Sequence, residues 1–131
     1  MNDSVTAIIA VLGADTTLMA TATDVYQGIA PTSATYPFVT VTQAPQESFR
    51  TFGGKSPVEE FNILAVDHAR SAKQAGTLAA RVDAILDGAR ISITGHTQLG
   101  RLIQTTPLKL QDVRDGELYW YVGGRYKLIY T

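Results

Sequence analysis

A chain of 131 residues and 14.1 kDa has room for one hydrophobic core and not for two. With 45% hydrophobic and 18% charged residues, 11 Gly and 5 Pro, its composition is that of an ordinary globular domain, which excludes extended disorder, collagen and a disulfide scaffold. Lys and Arg total 11 against 12 Asp and Glu and are scattered, so net charge builds no nucleic-acid surface; with no Cys there is no disulfide, thiolate zinc site, iron–sulfur cluster or Cys nucleophile.

The chain opens on a helix. Val5, Ile8, Ile9 and Leu12 fall at i, i+3, i+4 and i+7 on one face, with Asp3 or Ser4 placed to cap the start and Gly13 suited to the end. The apolar stretch from Ala7 to Leu12 is far below the roughly 20 residues of a membrane span and follows no Lys/Arg cluster. The expectation is a soluble intracellular protein with no membrane partner. Asp15 is placed to cap a second short turn carrying Leu18 and Met19.

The period then changes. Val25-Tyr26 reads as a short strand, Ala30-Pro31 to Ser33 as a turn or connector, and Tyr36 to Val41 as a strand with Pro37 at its start, where no ladder donor is needed. Val58 to Val66 is a further strand. Phe61, Ile63 and Ala65 share one face and Leu64 and Val66 the other, which suits a central position in a sheet. Ser71 to Asp87 reads as the longest helix, with Ser71 and Gln74 at capping-box spacing and Gly88 as its stop. Ala75, Leu78, Ala79, Val82, Ile85 and Leu86 form its buried stripe. Ile91 and Ile93 alternate in a short strand, and Leu99 to Leu110 is extended with a break at Pro107. Asp115-Gly116 marks a turn into a last strand, Glu117 to Tyr130. In that strand Leu118, Trp120, Val122, Gly124, Tyr126, Leu128 and Tyr130 keep one parity, so Gly123-Gly124 predicts a bend or close approach rather than an inserted residue. At ~3.4 Å per residue the strand spans roughly 45 Å, more than so small a core needs, and so predicts a projection.

Candidate catalytic groups do not assemble into a set. Gly53-Gly54-Lys55-Ser56 ends like a phosphate loop, yet Phe49 stands where the first glycine belongs, and Pro57 and a strand follow where a helix must begin. Glu59 and Glu60 are strand neighbours and point to opposite faces. His68 and His96 are the only histidines. Asp67-His68 sits at a strand end with no nucleophile or metal-spaced ligand nearby, and reads as turn chemistry. Asp112, Asp115 and Glu117 lack the ligand density of a calcium loop. No cofactor or metal is expected. Tyr119, Trp120, Tyr121 and Tyr126 leave open an alternative, a small nucleic-acid or ligand binding module on the C-terminal strand; packing is the plainer reading.

Two features point to association with other protein. Gln43 to Pro57 is a long inter-strand loop carrying Phe49, Arg50, Phe52 and Lys55, an anchor-like set. The plain alternative is that this loop extends the flanking hairpin and packs on its own body. The outer face of the long helix repeats Gly76, Ala80 and Ala84, flanked by Arg81. Arg70 and Lys73 near its start and Asp83 and Asp87 near its end oppose the macrodipole and would suit a head-to-tail neighbour. A merely solvated face is the competing reading. Arg125 and Lys127 on the last strand complete the candidate interface.

The order of these elements resembles a known family. An N-terminal helix leads to Val25-Tyr26, Ala30-Pro31 and Tyr36-Pro37-Phe38-Val39. A strand ending at Asp67 then meets a helix with Leu78, Val82, Ile85 and Leu86, and an aromatic-rich strand closes the chain. The pattern resembles the tail completion or tail terminator proteins of long-tailed phages, also called minor tail or tail-to-head joining proteins; gene-transfer particles use similar subunits. The resemblance implies one α+β domain over residues 1–131, a curved, mostly antiparallel or mixed sheet with one long and one or two short helices on it. It further implies a non-enzymatic subunit of a hexameric ring at the tail neck, with the tail-tube protein and a head-completion or connector protein as partners. DNA would pass through the lumen without specific binding, and the subunit would reside in the virion after assembly in the host cytoplasm.

Overall fold

The computed structural model describes residues 3–43, 49–51, 54–56, 59–69, 71–92 and 100–130. In chain order the elements are α1 (Asp3–Gly13), α2 (Thr16–Met19), β1 (Val25–Gln27), β2 (Phe38–Gln43), β3 (Phe49–Thr51), β4 (Gly54–Ser56), β5 (Glu59–His68), α3 (Lys73–Leu86), β6 (Arg90–Ile91), β7 (Gly100–Arg114) and β8 (Glu117–Tyr130). Six strands form one curled sheet in the order β1-β2-β5-β8-β7-β6; β3 and β4 pair only with each other. β1 runs parallel to β2 and every other pairing is antiparallel, so the fold is α+β with a mixed sheet.

The helices cover one face. Val5, Ile8 and Leu12 of α1, Leu18 of α2, and Ala75, Leu78, Val82 and Leu86 of α3 close on the alternate strand residues Val39, Val41, Phe61, Ile63, Ala65, Tyr126 and Leu128. Each fully buried Leu or Ile here contributes about 1.5–3 kcal/mol. Asp15 caps α2 as its sequence position predicts, its carboxylate accepting from the Leu18 N–H at 2.8 Å. Asp115 and Gly116 both have positive φ (52° and 79°), so the two-residue β7–β8 turn is of the primed type that matches strand twist. Gly88, at φ 77°, ends α3 in the left-handed conformation and donates its N–H to the Leu102 carbonyl at 2.7 Å.

Five local readings change. The Ser71–Gln74 capping box does not form: α3 starts at Lys73, Ala72 takes the N-cap position without a side-chain bond, and Ser71 Oγ instead accepts from the Lys73 N–H. β2 starts two residues later than its pattern, after the cis Tyr36-Pro37 bond. β7 does not break at Pro107; the irregularity falls between Gln104 and Thr106, and Pro107 stays in register opposite Gly124. The long inter-strand loop contains the β3–β4 hairpin. The Val58 to Val66 strand runs on to His68; Val58 lies outside the described residues, as do Ile93, Arg70 and His96.

The close approach predicted at Gly123-Gly124 is present. A Cβ on Gly123 would overlap the Ile63 carbonyl oxygen and lie 2.9 Å from both the Ile63 carbonyl carbon and the Leu64 Cα; one on Gly124 would overlap Nε2 of the Gln104 side chain. The β5–β8 register runs through both glycines without a shift.

Candidate assembly surface

The helix-free face of the sheet is a row of apolar and aromatic residues. Register places Phe38, Val66, Tyr121 and Leu110 side by side across four strands, and Thr40, Leu64, Gly123 and Leu108 beside them. Residues opposite in register share a face, so this is the face turned away from the helices. Segment 28–32 arches over its β1 side and leaves a cavity of about 350 Å³ lined by Ile29, Pro31, Tyr36, Phe38, Val66 and Tyr121. Ile29 is 96% exposed there. Phe38 and Val66 are buried beneath that segment, whereas Leu110, on the β7 side of the same face, is 54% exposed.

At one end of this face the side chains lock together. Tyr36 stands 5.1 Å from Phe38 and 5.7 Å from Tyr119, and His68 stacks on Tyr119 at 4.7 Å and 18°. Arg114 lies over the Tyr119 ring at 4.8 Å, donates to the Tyr121 hydroxyl and pairs with Asp112 at 2.6 Å. The Asp112 carboxylate raises the Arg114 pKa further, and burial raises that of Tyr119. His68 Nε2 meets Glu117 at 2.9 Å. Sequence reasoning missed this cluster. Its only signal was the shared parity of Leu64, Val66 and His68 on one strand and of Tyr119 and Tyr121 on another.

The same geometry separates groups that catalysis would need together. Asp67 is 3% exposed and alternates with His68, so the two point to opposite faces; Asp67 Oδ2 has no hydrogen-bond partner among the described residues. No group of three metal-ligating side chains converges among the described residues, and no described helix is long and apolar enough to cross a membrane. Gly54–Ser56 is a strand, which removes the helix a phosphate loop requires. The aromatic residues of β8 divide between faces: Trp120 turns to the helix side and donates to the Ala69 carbonyl at 3.1 Å, whereas Tyr119 and Tyr121 face away. A continuous base-stacking platform is not built from that division.

The interface candidates fall into two groups. Several are tied into their own subunit. Arg81 makes a two-point contact with Asp15, at 2.7 and 3.2 Å, and holds the Asp15 carboxyl below its usual pKa. Asp83 accepts from the Tyr126 hydroxyl at 3.0 Å, Asp87 from the Gln104 N–H at 3.1 Å. Arg125 contacts Asn62 at 3.2 Å and Glu60 at 3.8 Å. Lys127 is half-buried opposite Glu60. On α3, Lys73, Ala80 and Ala84 are exposed and Gly76 is half-buried, with nothing within 4 Å of where a Gly76 Cβ would stand. Phe49 and Arg50 lie on β3 and Lys55 on β4, with Arg50 opposite Lys55; Phe52 lies outside the described residues.

One further surface is a free backbone edge. β6 pairs with β7 only at Gly100 and Arg101. The Leu102 N–H and C=O turn outward to Ala89 and Gly88, and the Gln104 N–H to Asp87. The extra residue at Thr105 then reverses the phase. Past it, Pro107, Lys109, Gln111 and Val113 turn their backbone groups outward, and no described strand meets them. Pro107 fits this phase, since its missing N–H falls on the open side.

Arg81, Asp83 and Asp87 are thus bound within their own subunit, while Lys73 is exposed. The sequence pattern of the family "Tail completion protein gp17" matches residues 6–123, and the chain belongs to that family. It is therefore a structural protein of a phage or phage-like tail, as its element order implied. No curated protein sequence matches it. Among solved structures, a chain described as "Virion of native gene transfer agent (GTA) particle" is similar in fold, with a TM-score of 0.70 and 20% sequence identity over 96% of this chain and 93% of that one.

Proposed function

We propose that this protein is the repeating subunit of a hexameric ring at the head-proximal end of a tail, ending tube polymerisation and joining the tail to the head connector. The observation that carries the reading is a pair of unlike features on one subunit: a β3–β4 hairpin that joins no other described strand, and a β7 edge that no described strand meets past Thr105. Unlike surfaces make heterologous contacts, and these close into rings when the rotation permits. Family membership supports the tail location, and the fold shared with a chain of a gene transfer agent virion supports a particle component. Phe49, Arg50, Phe52 and Lys55 serve as the anchor segment, and Lys73, Gly76, Ala80 and Ala84 as a close-approach helix face. Arg81, Asp83 and Asp87 shape that helix surface while holding their own subunit together, and Arg125 and Lys127 belong to the helix-free face of the sheet, beside Asn62 and Glu60. The tube protein and a head-completion protein are the partners, and DNA passes through the lumen unheld, in keeping with the net charge of −1.

Light scattering after size exclusion, with negative-stain images in the presence of tail tubes, tests this. The expected result is a ring of six copies, free or on tube ends. A protein that stays a single copy and ignores tube ends refutes it.

A further inference from the structure

Four cations that are scattered in the sequence are gathered by register at one end of the sheet. On the helix-free face, Arg90 of β6 lies opposite Arg101 of β7, and Arg101 opposite Ile129 of β8. Two and four residues back along β8, on the same face, stand Lys127 and Arg125. Arg90, Arg101 and Arg125 are exposed and Lys127 is half-buried. Strand spacing and ~3.4 Å per residue place the four within an area of about 10 Å by 14 Å. Among the described residues Glu60, 3.8 Å from Arg125, is the one carboxylate that register brings beside them. The side chains of Arg90, Arg101 and Lys127 have no hydrogen-bond or ion-pair partner among the described residues. Four cations against one carboxylate leave a local charge of +3 on a chain whose net charge is −1.

Like charges directly opposite weaken a strand pair, so Arg90 and Arg101 destabilise the free subunit until an anion lies over them. A second copy does not supply that anion. Asp15 is bound to Arg81, Asp112 to Arg114, Glu117 to His68, Asp83 to the Tyr126 hydroxyl and Asp87 to the Gln104 N–H. Another protein would have to bring its own cluster of carboxylates, and the cores of protein interfaces are depleted of charged residues. Nucleic-acid interfaces are far more positive. We infer that this face of the β6–β7–β8 end is a phosphate-contact site for duplex DNA, made by Arg90, Arg101, Arg125 and Lys127.

The contact reads no sequence. A 14 Å run of duplex carries about eight phosphates, enough for each cation to meet one, and phosphate contacts position a duplex without distinguishing its bases. Such binding is weak and lets a protein slide along DNA, so the site steadies a duplex that still passes. It is distinct from base stacking on Tyr119, Trp120 and Tyr121, which lie at the other end of β8. The inference rests on the ring reading above for the source of the duplex, and on register for the site itself.

Fluorescence anisotropy of a short labelled duplex of mixed sequence, titrated with the full chain over a range of salt, tests the site. With four phosphates engaged, the logarithm of the binding constant falls against that of salt with a slope of about −3.6, roughly a 150-fold loss between 50 and 200 mM. Arg90→Gln combined with Arg101→Gln brings the slope to about −1.8 and weakens binding about tenfold at low salt. Because the like-charge pair is gone, that double variant melts at or above wild type. Lys127→Gln alone takes about 0.9 from the slope. Lys109→Gln, on the other face of β7, leaves slope and affinity unchanged. No duplex binding at low salt overturns the site. An unchanged slope in the double variant, or affinity lost instead in Arg50→Gln with Lys55→Gln, overturns it in favour of other cations. Poly-glutamate bound as tightly as the duplex, charge for charge, assigns the patch to an acidic protein and also overturns it. The titration needs no ring: a chain that binds DNA through these residues and never forms rings keeps the site and removes the ring reading, and rings built from a chain indifferent to DNA do the reverse.

Discussion

Gly123→Ala is the perturbation that most sharply tests how the sheet is laminated. The new methyl would sit inside the Ile63 carbonyl oxygen and 2.9 Å from two further backbone atoms of β5, so no side-chain rotation relieves it. Relief requires β5 and β8 to part at the centre of the sheet, where Leu64 lies opposite Gly123. Two or three weakened ladder bonds cost about 1 kcal/mol each, and the reduced freedom of the unfolded chain returns about 0.4–1 kcal/mol. The net loss is about 2 kcal/mol. For a chain of this size that lowers Tm by roughly 6–10 °C. Gly124→Ala is the control. Its methyl meets only the end of the Gln104 side chain, which can swing away, so the loss is within about 1 kcal/mol. Thermal melting by far-UV circular dichroism reads both. Equal melting of the two variants, or Gly123→Ala within 2 °C of wild type, would refute the claim that backbone contact fixes this glycine.

Tyr126→Phe leaves Asp83 without its hydroxyl donor and is expected to cost about 1–2 kcal/mol, read by urea melts. Burial raises the Tyr126 pKa well above the ordinary 10.0, so the native state keeps a proton that the unfolded chain releases. The group's contribution is complete below about pH 10 and is lost as pH rises further, and Tyr126→Phe flattens that alkaline decline. Asp15 behaves in the opposite sense. The Arg81 hydrogen bond lowers its pKa, so its contribution is present above the ordinary 3.8 and disappears on acidification below it. Asp15→Asn keeps the α2 cap and loses the charge, while Asp15→Ala loses both, so Tm should fall in the order wild type, Asn, Ala. Deleting residues 48–56 should leave a folded subunit with a near-native melt and abolish ring formation; normal rings from that variant would remove the role given to the hairpin.

What the sequence disclosed was local in origin. The α1 stripe of Val5, Ile8 and Leu12, the Asp15 cap, the Asp115-Gly116 turn and the unbroken parity of β8 each depend on spacing within a few residues, and each is present. The readings that changed depended on context. Pro107 looked like a break because proline lacks a donor, but the bulge at Thr105 turns that missing donor to the open side. Ser71 and Gln74 had capping-box spacing, yet β5 runs two residues past Val66 and α3 starts only at Lys73, which leaves Ser71 outside the N-cap position. The candidate surface was less legible still. Asp83 and Asp87 looked like handles for a neighbour because their signs oppose the helix dipole. Their partners, Tyr126 and Gln104, come from β8 and β7, and no spacing within the helix reveals them. The aromatic cluster likewise exists only through the register that sets His68 opposite Tyr119.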